Sequence, residues 1–365
     1  MKVSAPRESL LGPIQSVIGV VERRQTMPVL ANVLLVARAD RLTVTGTDLE
    51  VELVASGAVS VQQPGEVTVP GRKLLEILRT LPEKASVSLV REAERVVIKA
   101  GRSRFTLSSL PASEFPVIDE INGQQTLRVT REAVAKLIDK TSFAMAQQDV
   151  RYYLNGTLLE TSGGTLRAVA TDGHRLSLAE TQLAAAATQN QQVILPRKGV
   201  LELQRILGGE GEIELAIGTN HLRVQIGDVR FTSKLIDGKF PEYGRVIPAK
   251  PPHVMSAPRD LLKQALQRTS ILSNEKYRGV RLSFAANTLT IQAHNPEQEE
   301  AEDQIEVAYS GAELEIGFNV TYLLDALAAV DADTVEVAIT DSNSSCLIRA
   351  PGDTAVKFVV MPMRL

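Results

Sequence analysis

Two short clusters contain the residue types that acid–base or metal chemistry uses. Asp172 and His174 stand two positions apart in a turn-like stretch, as in the acid–base pair of a hydrolase. Residues 297–303 are rich in carboxylates, which bind divalent cations. The first cluster has no serine or cysteine nucleophile with a supporting motif, and the second lacks the glycine and ligand spacing of a calcium loop. A β-rich hydrolase built on Asp172 and His174 is the alternative function, and no metal or cofactor is expected.

The composition is that of a soluble globular protein, with 44% hydrophobic and 23% charged residues among 365. Cys346 is the single cysteine, which excludes an intrachain disulfide and a multi-thiolate zinc site. No apolar run approaches the ~20 residues of a membrane span. The opening MKVSAPRESL lacks the pattern of a secretory signal. We therefore expect a cytoplasmic protein that does not associate with membranes.

The chain contains three copies of one unit, each about 120 residues long. The copies open on Pro6-Arg7-Glu8-Ser9-Leu10-Leu11, Thr130-Arg131-Glu132-Ala133-Val134 and Pro258-Arg259-Asp260-Leu261-Leu262. A second landmark recurs at 69–75, 195–201 and 316–320, and a third at 104–106, 230–232 and 357–359. Three landmarks in one order at one spacing are improbable by chance. The repeats predict three domains, at 1–122, 127–247 and 251–365.

The hydrophobic period changes in the same way within each repeat. Each repeat opens on an amphipathic helix, preceded by Pro6, Thr130 or Pro258, and a shorter helix follows midway. The shorter helices are predicted at 72–80, 198–207 and 319–330, strands at 42–45, 51–54, 96–98 and 222–224, and linkers at 111–127, 183–192 and 244–257. The predicted fold class is therefore α+β, with three repeated units that each have two helices packed on antiparallel sheets.

The charges are sorted between these elements. The formal net charge is −3, which by itself argues against a nucleic-acid binder. The helical segments together are nevertheless net positive, and the rest of the chain carries the negative excess. A general preference of surface helices for Lys and Arg is one explanation. Glu is as good a helix former as Lys, however, so propensity alone predicts no bias of sign.

A ring of such units with the helices inside would give this sorting a purpose. Six units present twelve helices, and at about 8–10 Å per packed helix the layer has a circumference of roughly 100–120 Å. Allowing for the helices' own diameter leaves a hole of about 20–30 Å. A B-form duplex passes through such a hole. Three units cannot enclose one, so this arrangement requires a dimer.

Five separated motifs support this interpretation, because with them the chain closely resembles the bacterial DNA polymerase III beta subunit family, the sliding clamps, over its whole length. The motifs are Thr45-Gly46-Thr47-Asp48-Leu49-Glu50, residues 148–156 (QDVRYYLNG), residues 170–176 (ATDGHRL), residues 295–302 (NPEQEEAE) and residues 359–365 (VVMPMRL). The resemblance implies the DNA clamp fold, closed head to tail into a six-domain ring by a homodimer that encircles duplex DNA independently of sequence.

The resemblance also implies a non-catalytic processivity factor that tethers other proteins to DNA. The implied partners are the DNA polymerase III alpha subunit, the clamp loader, translesion polymerases, and mismatch-repair and ligase-type proteins, each bound through a short peptide motif. The family's DNA-facing positions correspond to Arg24, Gln148, Arg151, Tyr152, Tyr153 and Lys198, and Arg72 and Lys73 are added on charge alone. Cations hold phosphates without reading bases, and tyrosines stack on single-stranded bases. The alternatives are solvated surface cations and, for the tyrosines, core or subunit contacts.

The resemblance also implies a peptide groove between the second and third repeats. Its positions correspond to Leu154, Thr171, Gly173, His174, Arg175, Leu176, Pro241, Arg245, Val246, Asn319, Tyr322, Ser345, Val359, Val360, Met361, Pro362, Met363, Arg364 and Leu365. The two terminal thioethers suit a surface that repacks around different partners. Val359 and Val360 are also expected to complete the core as a last strand. The chain departs from familiar members at 22–25, Asn343 and Cys346.

The subunit junction is expected to join the first repeat of one chain to the third repeat of the other. Ile271 and Leu272 follow the apolar stripe of the helix at 259–270, and adjacent residues cannot both continue a narrow stripe. The resemblance implies that this pair packs against the first repeat of the other subunit. The expected apolar partners are Phe105 and Leu107, with the cations Lys73, Arg102 and Arg104 facing the carboxylates of Glu297, Glu299, Glu300 and Glu302.

Overall fold

The structure, a computed structural model, describes residues 1–22, 27–118 and 123–364. Two predicted site residues, Arg24 and Leu365, lie outside this range, as does the predicted end of the first domain at residue 122. The α-helices of the described chain are α1 Arg7–Val17, α2 Gly71–Thr80, α3 Arg131–Thr141, α4 Arg197–Ile206, α5 Arg259–Thr269 and α6 Val320–Ala329. Each repeat has two of them, as the hydrophobic periods predict.

Strands make up most of the remaining structure. They are β1 Lys2–Pro6, β2 Asn32–Arg38, β3 Arg41–Thr47, β4 Val51–Ala58, β5 Ser60–Gln63, β6 Gly65–Pro70, β7 Ser86–Glu92, β8 Arg95–Ala100, β9 Ser103–Ser108, β10 Gly123–Thr130, β11 Gly156–Ser162, β12 Thr165–Thr171, β13 Arg175–Gln182, β14 Gln191–Pro196, β15 Glu212–Gly218, β16 His221–Ile226, β17 Val229–Lys234, β18 His253–Pro258, β19 Gly279–Ala285, β20 Thr288–His294, β21 Glu300–Glu306, β22 Leu314–Asn319, β23 Thr334–Ile339, β24 Cys346–Arg349 and β25 Val356–Val360. The predicted linkers are shorter than expected, because β10, β14 and β18 begin inside them. The glutamine-rich starts of β10 and β14 lack the apolar alternation that marks a strand in sequence.

Proline and threonine begin the helices as predicted. Pro6 and Pro258 precede α1 and α5 with φ of −56° and −59°, the value that the proline ring imposes and that suits entry into a helix. Before α3, the Thr130 hydroxyl accepts the amide hydrogen of Ala133 at 3.2 Å. At α6, the Asn319 side chain accepts the amide hydrogen of Thr321. These caps satisfy amides that have no partner within the helix.

The chain divides into two compact units. Unit 1 comprises Met1–Val134, Leu183–Thr188 and Lys198–Leu235, and unit 2 comprises Ala135–Gln182, Gln189–Arg197 and Ile236–Leu365. Unit 1 contains a five-stranded sheet, β5-β1-β7-β8-β9, and an eight-stranded sheet, β10-β15-β16-β17-β4-β3-β2-β6. Unit 2 contains an eight-stranded sheet, β14-β11-β12-β13-β25-β24-β23-β18, and a four-stranded sheet, β21-β20-β19-β22. The units do not coincide with the three repeats, and the domain boundaries at 122–127 and 247–251 stay a prediction.

Each eight-stranded sheet is assembled from two four-stranded half-sheets that belong to consecutive repeats. In unit 1, β17 pairs antiparallel with β4 and places Phe231 opposite Leu53. In unit 2, β25 pairs in the same way with β13 and places Phe358 opposite Ser177. The half-sheets that correspond by element order in the first and third repeats are β1-β7-β8-β9 and β21-β20-β19-β22. In the described chain these two end on edge strands, β9 and β21.

Helix α1 packs closely on strands β3 and β4 of its own repeat. Its stripe of Leu10, Ile14 and Val17 is fully buried. Where the helix crosses β4, a Cβ on Gly57 would collide with the carbonyl oxygen of Ser9 and lie 3.0 Å from Cγ of Pro13. The close approach of this helix to its sheet therefore requires the absence of a side chain at position 57.

We predict that Gly57→Ala lowers the free energy of unfolding by about 1–3 kcal/mol, because the methyl group forces α1 away from β4. Gly12→Ala is the matched control, since Gly12 lies in the same helix and a Cβ added there would meet nothing within 4 Å. An alanine at this position is expected to stabilise by about 0.5–1 kcal/mol. Chemical denaturation measures both variants, and equal unfolding midpoints would contradict the prediction.

Candidate functional site

Unit 2 contains a groove with a cavity of about 200 Å³. Its lining residues are Arg151, Tyr153, Leu154, Thr171, Gly173, Arg175, Leu176, Pro241, Glu242, Tyr243, Val246, Val359 and Met361. They come from a short 3-10 helix (Tyr152–Leu154), the β12–β13 turn, the segment that follows β17, and the last strand with its tail. Nine of them belong to the predicted groove, which the structure therefore brings together from four separate parts of the sequence.

The floor of the groove is the upper surface of an apolar core. Leu154, Leu176, Phe240 and Val359 are all buried there in one cluster. Side chains that bind an apolar anchor need such a floor, because the anchor's stabilisation depends on the apolar area it removes from water. A cavity of this size accommodates one or two large side chains rather than a whole cofactor.

Tyr243 forms one wall and is held by a polar network beneath it. Its hydroxyl donates to the Glu160 carboxylate and accepts from Nη1 of Arg167 at 2.9 Å. Arg167 is in turn paired with Glu180 at 2.8 Å. Burial, together with the hydrogen bond to Glu160, raises the pKa of Tyr243. The ring is therefore fixed as a neutral phenol against the groove.

The β12–β13 turn is shaped by the side chains of Thr171 and Asp172. One carboxylate oxygen of Asp172 accepts the amides of His174 and Arg175 at 2.9 and 3.0 Å, and the other accepts Nε of Arg175 at 3.1 Å. Gly173 has φ of +89°, a conformation that favours glycine. The carboxylate thus stabilises the turn instead of orienting the His174 imidazole, so the hydrolase alternative has no support in the geometry.

Arg175 ties this turn to the helix α6 beneath the groove. Its guanidinium pairs with Asp325 at 2.5 Å, donates to the carbonyl oxygen of Phe143 at 2.7 Å and lies 4.7 Å from the ring centre of Tyr322. The His174 ring stacks on the same tyrosine at 6.3 Å. Only the aliphatic part of Arg175 remains to contact a ligand, because its charged end is fully engaged.

Arg151 and Tyr153 were predicted to face DNA, and the structure places both in the lining of the groove. Arg151 is paired with Asp149 at 2.8 Å and donates to the carbonyl oxygen of Asp172 at 3.2 Å. The side-chain and backbone hydrogen bonds from Arg151 lower the pKa of Asp149 to about 2. Arg151 therefore stays in place over the turn at any pH near neutrality.

The tail after β25 continues along the groove. The amide of Met361 donates to the carbonyl oxygen of His174 at 2.9 Å, and the amide of Met363 donates to that of Gly317 at 2.9 Å. Met361 lines the groove, whereas Met363 and Arg364 line a neighbouring cavity with Tyr277. Val359 and Val360 are buried in the strand, which agrees with their expected second role in the core.

The other predicted groove residues do not line the cavity. Ser345 donates its hydroxyl to the carbonyl oxygen of Val246 at 2.7 Å, and Asn319 caps α6. Pro362 is half-buried in the tail. The side chain of Arg245 is 81% exposed and pairs with Glu242 at 2.5 Å, so it can meet only a ligand that extends beyond the cavity.

Two lining residues, Glu242 and Tyr243, are absent from the predicted set. A signal for them exists in the repeats, because Phe240-Pro241 corresponds to Phe115-Pro116 at the end of the first repeat. A short apolar pair that recurs after the last strand of a repeat marks the segment that closes a groove. The pattern does not reveal that the next residues, Glu242 and Tyr243, turn inwards.

The predicted DNA-facing cations are less free than the sequence suggests. Lys198 is held by the carboxylates of both Glu22 and Asp48. Burial alone would lower the pKa of Lys198, but these two hydrogen bonds outweigh it and raise the pKa. Arg72 donates to the carbonyl oxygen of Val21 at 2.7 Å, so its guanidinium stabilises the chain end of a helix instead of projecting freely.

Three other predicted DNA-facing residues are exposed. Lys73 projects from α2 and forms no ion pair within the described residues. Gln148 lies on the exposed loop before the 3-10 helix Tyr152–Leu154, where Val150 is also almost fully exposed, and Tyr152 is the first residue of that helix. No group of three His, Cys, Asp or Glu in the described part of the chain is arranged to hold a metal ion. Among those residues no helix is both long and apolar enough to cross a membrane.

Most of the predicted junction residues are exposed in their units. Ile271 is 75% exposed, Phe105 is half-buried, and the carboxylates on and before β21 point into solvent. Leu107 is only 8% exposed. Its side chain packs largely inside unit 1, and its assignment as an apolar contact across the junction stays a prediction.

We predict that Arg175→Ala lowers the free energy of unfolding by about 2–4 kcal/mol, since it leaves Asp172 and Asp325 without their cation. Arg175→Lys should recover only part of this loss, because an ammonium cannot bridge both carboxylates and the carbonyl of Phe143. Arg245→Ala is the control, as its solvent-exposed pair contributes at most about 1 kcal/mol. Denaturant unfolding with unchanged midpoints for all three variants would contradict the role assigned to Arg175.

Comparison with known proteins identifies the chain's family. The DNA polymerase III beta subunit models match in order, the N-terminal domain at 1–119, the central domain at 128–242 and the C-terminal domain at 244–364. A beta sliding clamp of Pseudomonas putida is 53% identical over the full length of both chains. The crystal structure of the Pseudomonas aeruginosa DNA polymerase III subunit beta matches with a TM-score of 0.98 at 51% identity, again over all of both chains, and a second structure from that organism, bound to griselimycin, matches with 0.97. The chain belongs to the DNA polymerase III beta subunit family, the sliding clamps that serve as processivity factors of DNA replication.

Proposed function

We propose that two copies of this chain close head to tail into a ring around duplex DNA. The observation that carries this proposal is the pair of incomplete half-sheets. Within the chain, every junction between consecutive repeats is made by strand pairing, β17 with β4 and β25 with β13. Strands β9 and β21 are the corresponding edges that remain. An exposed strand edge pairs readily with another chain, and a head-to-tail contact repeated twice closes a dimer.

The two observed junctions also give the register of the proposed one. In β17 and β25, Arg230 and Lys357 stand opposite Val54 and Leu178. In β9, Arg104 stands at the position of Arg230 and Lys357. In β21, Glu302 stands at the position of Val54 and Leu178, so the proposed register places Arg104 opposite Glu302. Phe105 then faces Ala301, so the apolar and charged side chains both find complementary partners.

The charges at these edges favour this pairing. Arg102 and Arg104 are exposed and form no ion pair within the described residues, and the same is true of Glu297 and Glu300. Antiparallel strands with opposite charges attract each other and do not stack with copies of themselves. The edges are therefore protected from pairing β9 with β9 or β21 with β21.

The groove of unit 2 serves in this proposal as the tether for partner proteins. A cavity of about 200 Å³ with an apolar floor holds one or two anchor side chains of an extended peptide. We assign to it the DNA polymerase III alpha subunit, the clamp loader, translesion polymerases, and mismatch-repair and ligase-type proteins. They would compete for one groove, and the work takes place in the cytoplasm, where the replicating DNA lies. The ring itself carries out no chemistry.

The ring predicts retention by topology. Loaded onto nicked circular duplex, the protein should stay bound and should slide off when the circle is cut, because enclosure rather than phosphate contact holds it. The double variant Ile271→Ala/Leu272→Ala should fail to stay on either form, since it weakens both junctions of the dimer. Gel filtration of DNA–protein mixtures measures retention. Equal residence of the unaltered protein on circular and linear DNA would contradict the ring.

The tether predicts that deletion of 361–365 abolishes binding of the polymerase alpha subunit while the dimer persists. Met361→Ala tests the same point without removing the backbone hydrogen bond to His174, and should weaken binding about tenfold through the loss of a buried anchor contact. Surface plasmon resonance measures binding, and sedimentation velocity checks the dimer. An unfolded or monomeric truncated chain would show that the tail belongs to the core.

The carboxylates around Lys198 predict an unusual gain of affinity. Glu22→Gln removes one of the two charges that hold Lys198 and should tighten binding to linear duplex about two- to fivefold at low salt. Glu212→Gln, at an exposed position on β15, is the control and should leave affinity unchanged. Fluorescence anisotropy as a function of salt measures both. Identical affinities for the two variants would place Lys198 away from DNA.

A further inference from the structure

A second groove lies in unit 1, at the junction that β17 forms with β4. It has a cavity of about 280 Å³, and its lining residues are Thr47, Leu49, Pro116, Val117, Ile118, His221 and Lys234. Every one of these residues belongs to unit 1. We call it the unit 1 groove, and the cavity described above the unit 2 groove.

The turn in the lining of the unit 1 groove repeats the hydrogen bonds that side chains accept from backbone amides in the unit 2 turn. Asp48 accepts the amides of Glu50 and Val51 at 2.9 and 2.7 Å, as Asp172 does for His174 and Arg175. The Thr47 hydroxyl accepts the amide of Leu49 at 3.1 Å, and Thr171 accepts that of Gly173 at the same distance. The repeats thus build the same turn twice.

The segments that contribute a proline to each groove correspond as well. Phe115 is buried with Leu30 in a cluster of unit 1, just as Phe240 is buried with Leu154 in unit 2. The prolines that follow, Pro116 and Pro241, each line their own groove. In both sites, therefore, a lining proline directly follows a phenylalanine that is buried in an apolar cluster.

The difference lies in the residue that follows the pairing strand. In unit 2 the amide of Met361 donates to the carbonyl oxygen of His174, and in unit 1 the amide of Lys234 donates to that of Glu50 at 2.8 Å. An ammonium group thus replaces a thioether at the same position of the lining. Lys234 forms no ion pair within the described residues. His221 lies beside it, and burial together with Lys234 and Arg223 lowers the pKa of His221.

Leu49 is held in a conformation that leucine rarely adopts. Its φ is +79°, close to the +89° of Gly173 at the equivalent position. This conformation is strained for leucine, because its Cβ crowds the backbone, and it is not strained for glycine. Its side chain is nevertheless 37% exposed, and that of Val117 beside it 59%. Leu49 is not one of the buried core residues, and this conformation keeps its apolar side chain in the lining of the groove.

We propose that the unit 1 groove docks an extended peptide segment of a partner protein, whose apolar side chain packs on Leu49, Pro116 and Val117 while an adjacent carboxylate pairs with Lys234. Unpaired positive charge beside exposed apolar surface fits an acidic and apolar peptide and disfavours a basic one. Glu50, exposed beside Leu49, repels a second carboxylate on that side and so orients the peptide. The site is separate from the unit 2 groove and does not depend on ring closure.

The test uses the full chain with labelled Leu, Val and Met methyl groups and the probe acetyl-Glu-Asp-Leu-Leu-Asp-Glu-amide, followed by methyl NMR. The peptide is expected to shift the signals of Leu49 and Val117 at concentrations up to about 1 mM. The same peptide with lysines in place of its acids should leave them unmoved. The signals of Met361 and Val359 report binding at the unit 2 groove independently. Peptide binding at the unit 2 groove alone would overturn the proposal. Shifts of Leu49 and Val117 that depend on protein concentration without peptide would also overturn it, because they indicate a second copy of the chain as the occupant.

Two variants separate docking from folding. Leu49→Gly should weaken binding about tenfold while leaving the unfolding midpoint unchanged or raised, because glycine relieves the backbone strain. Lys234→Glu should weaken the acidic probe about fivefold and restore binding of the lysine peptide. In both variants the signal of Val117 reports binding. Retained affinity in both variants would overturn the proposal, and so would a Leu49→Gly variant that loses stability, since leucine would then be part of the core.

Discussion

The pairing of one repeat's edge strand with the next repeat's edge strand is the interaction on which the rest of the structure depends. β17 on β4 and β25 on β13 convert separate four-stranded half-sheets into eight-stranded sheets. Backbone hydrogen bonds along a whole strand fix the register, and a slip by one residue would turn every buried side chain outwards. The compact units consequently follow the sheets and not the repeats, and the repeats supply edges that are complementary to their neighbours.

Both grooves are consequences of that pairing. Each strand that completes a sheet ends beside the turn of the strand it joins, so the residue that lines the groove there, Met361 or Lys234, is delivered to the same place by the same backbone hydrogen bond. The Phe-Pro segment then covers the apolar cluster from the side. Since the framework is repeated, the chemistry of each groove depends on few side chains. A glycine and a methionine make the unit 2 groove apolar, whereas a leucine and a lysine make the unit 1 groove partly cationic.

The sequence was informative wherever one period or one motif decides a structure. The six helices follow from apolar spacing and from Pro6, Thr130 and Pro258, and the groove residues follow from motifs that the family shares. It was uninformative where the outcome depends on distant partners. Nothing near Lys198 announces that Glu22 and Asp48 hold it, and nothing near Arg72 announces the carbonyl of Val21. Phe105 and Leu107 alternate with polar residues along β9, as in a strand with one apolar face. The sequence does not show how much of that face is covered within the chain, because this depends on how β9 packs.

Those hidden partners bear on how a clamp meets DNA. A protein held on DNA by enclosure needs no tight phosphate contacts, and each strong contact would have to break at every step of sliding. Arg72 and Lys198 are cations whose charges are already committed, to a carbonyl oxygen and to two carboxylates. Their positive charge still contributes to the general field, but little of it is available for a fixed pair with a phosphate. For the same reason the net charge of −3 is compatible with the proposed ring around DNA, since enclosure does not require strong attraction between the protein and the phosphates.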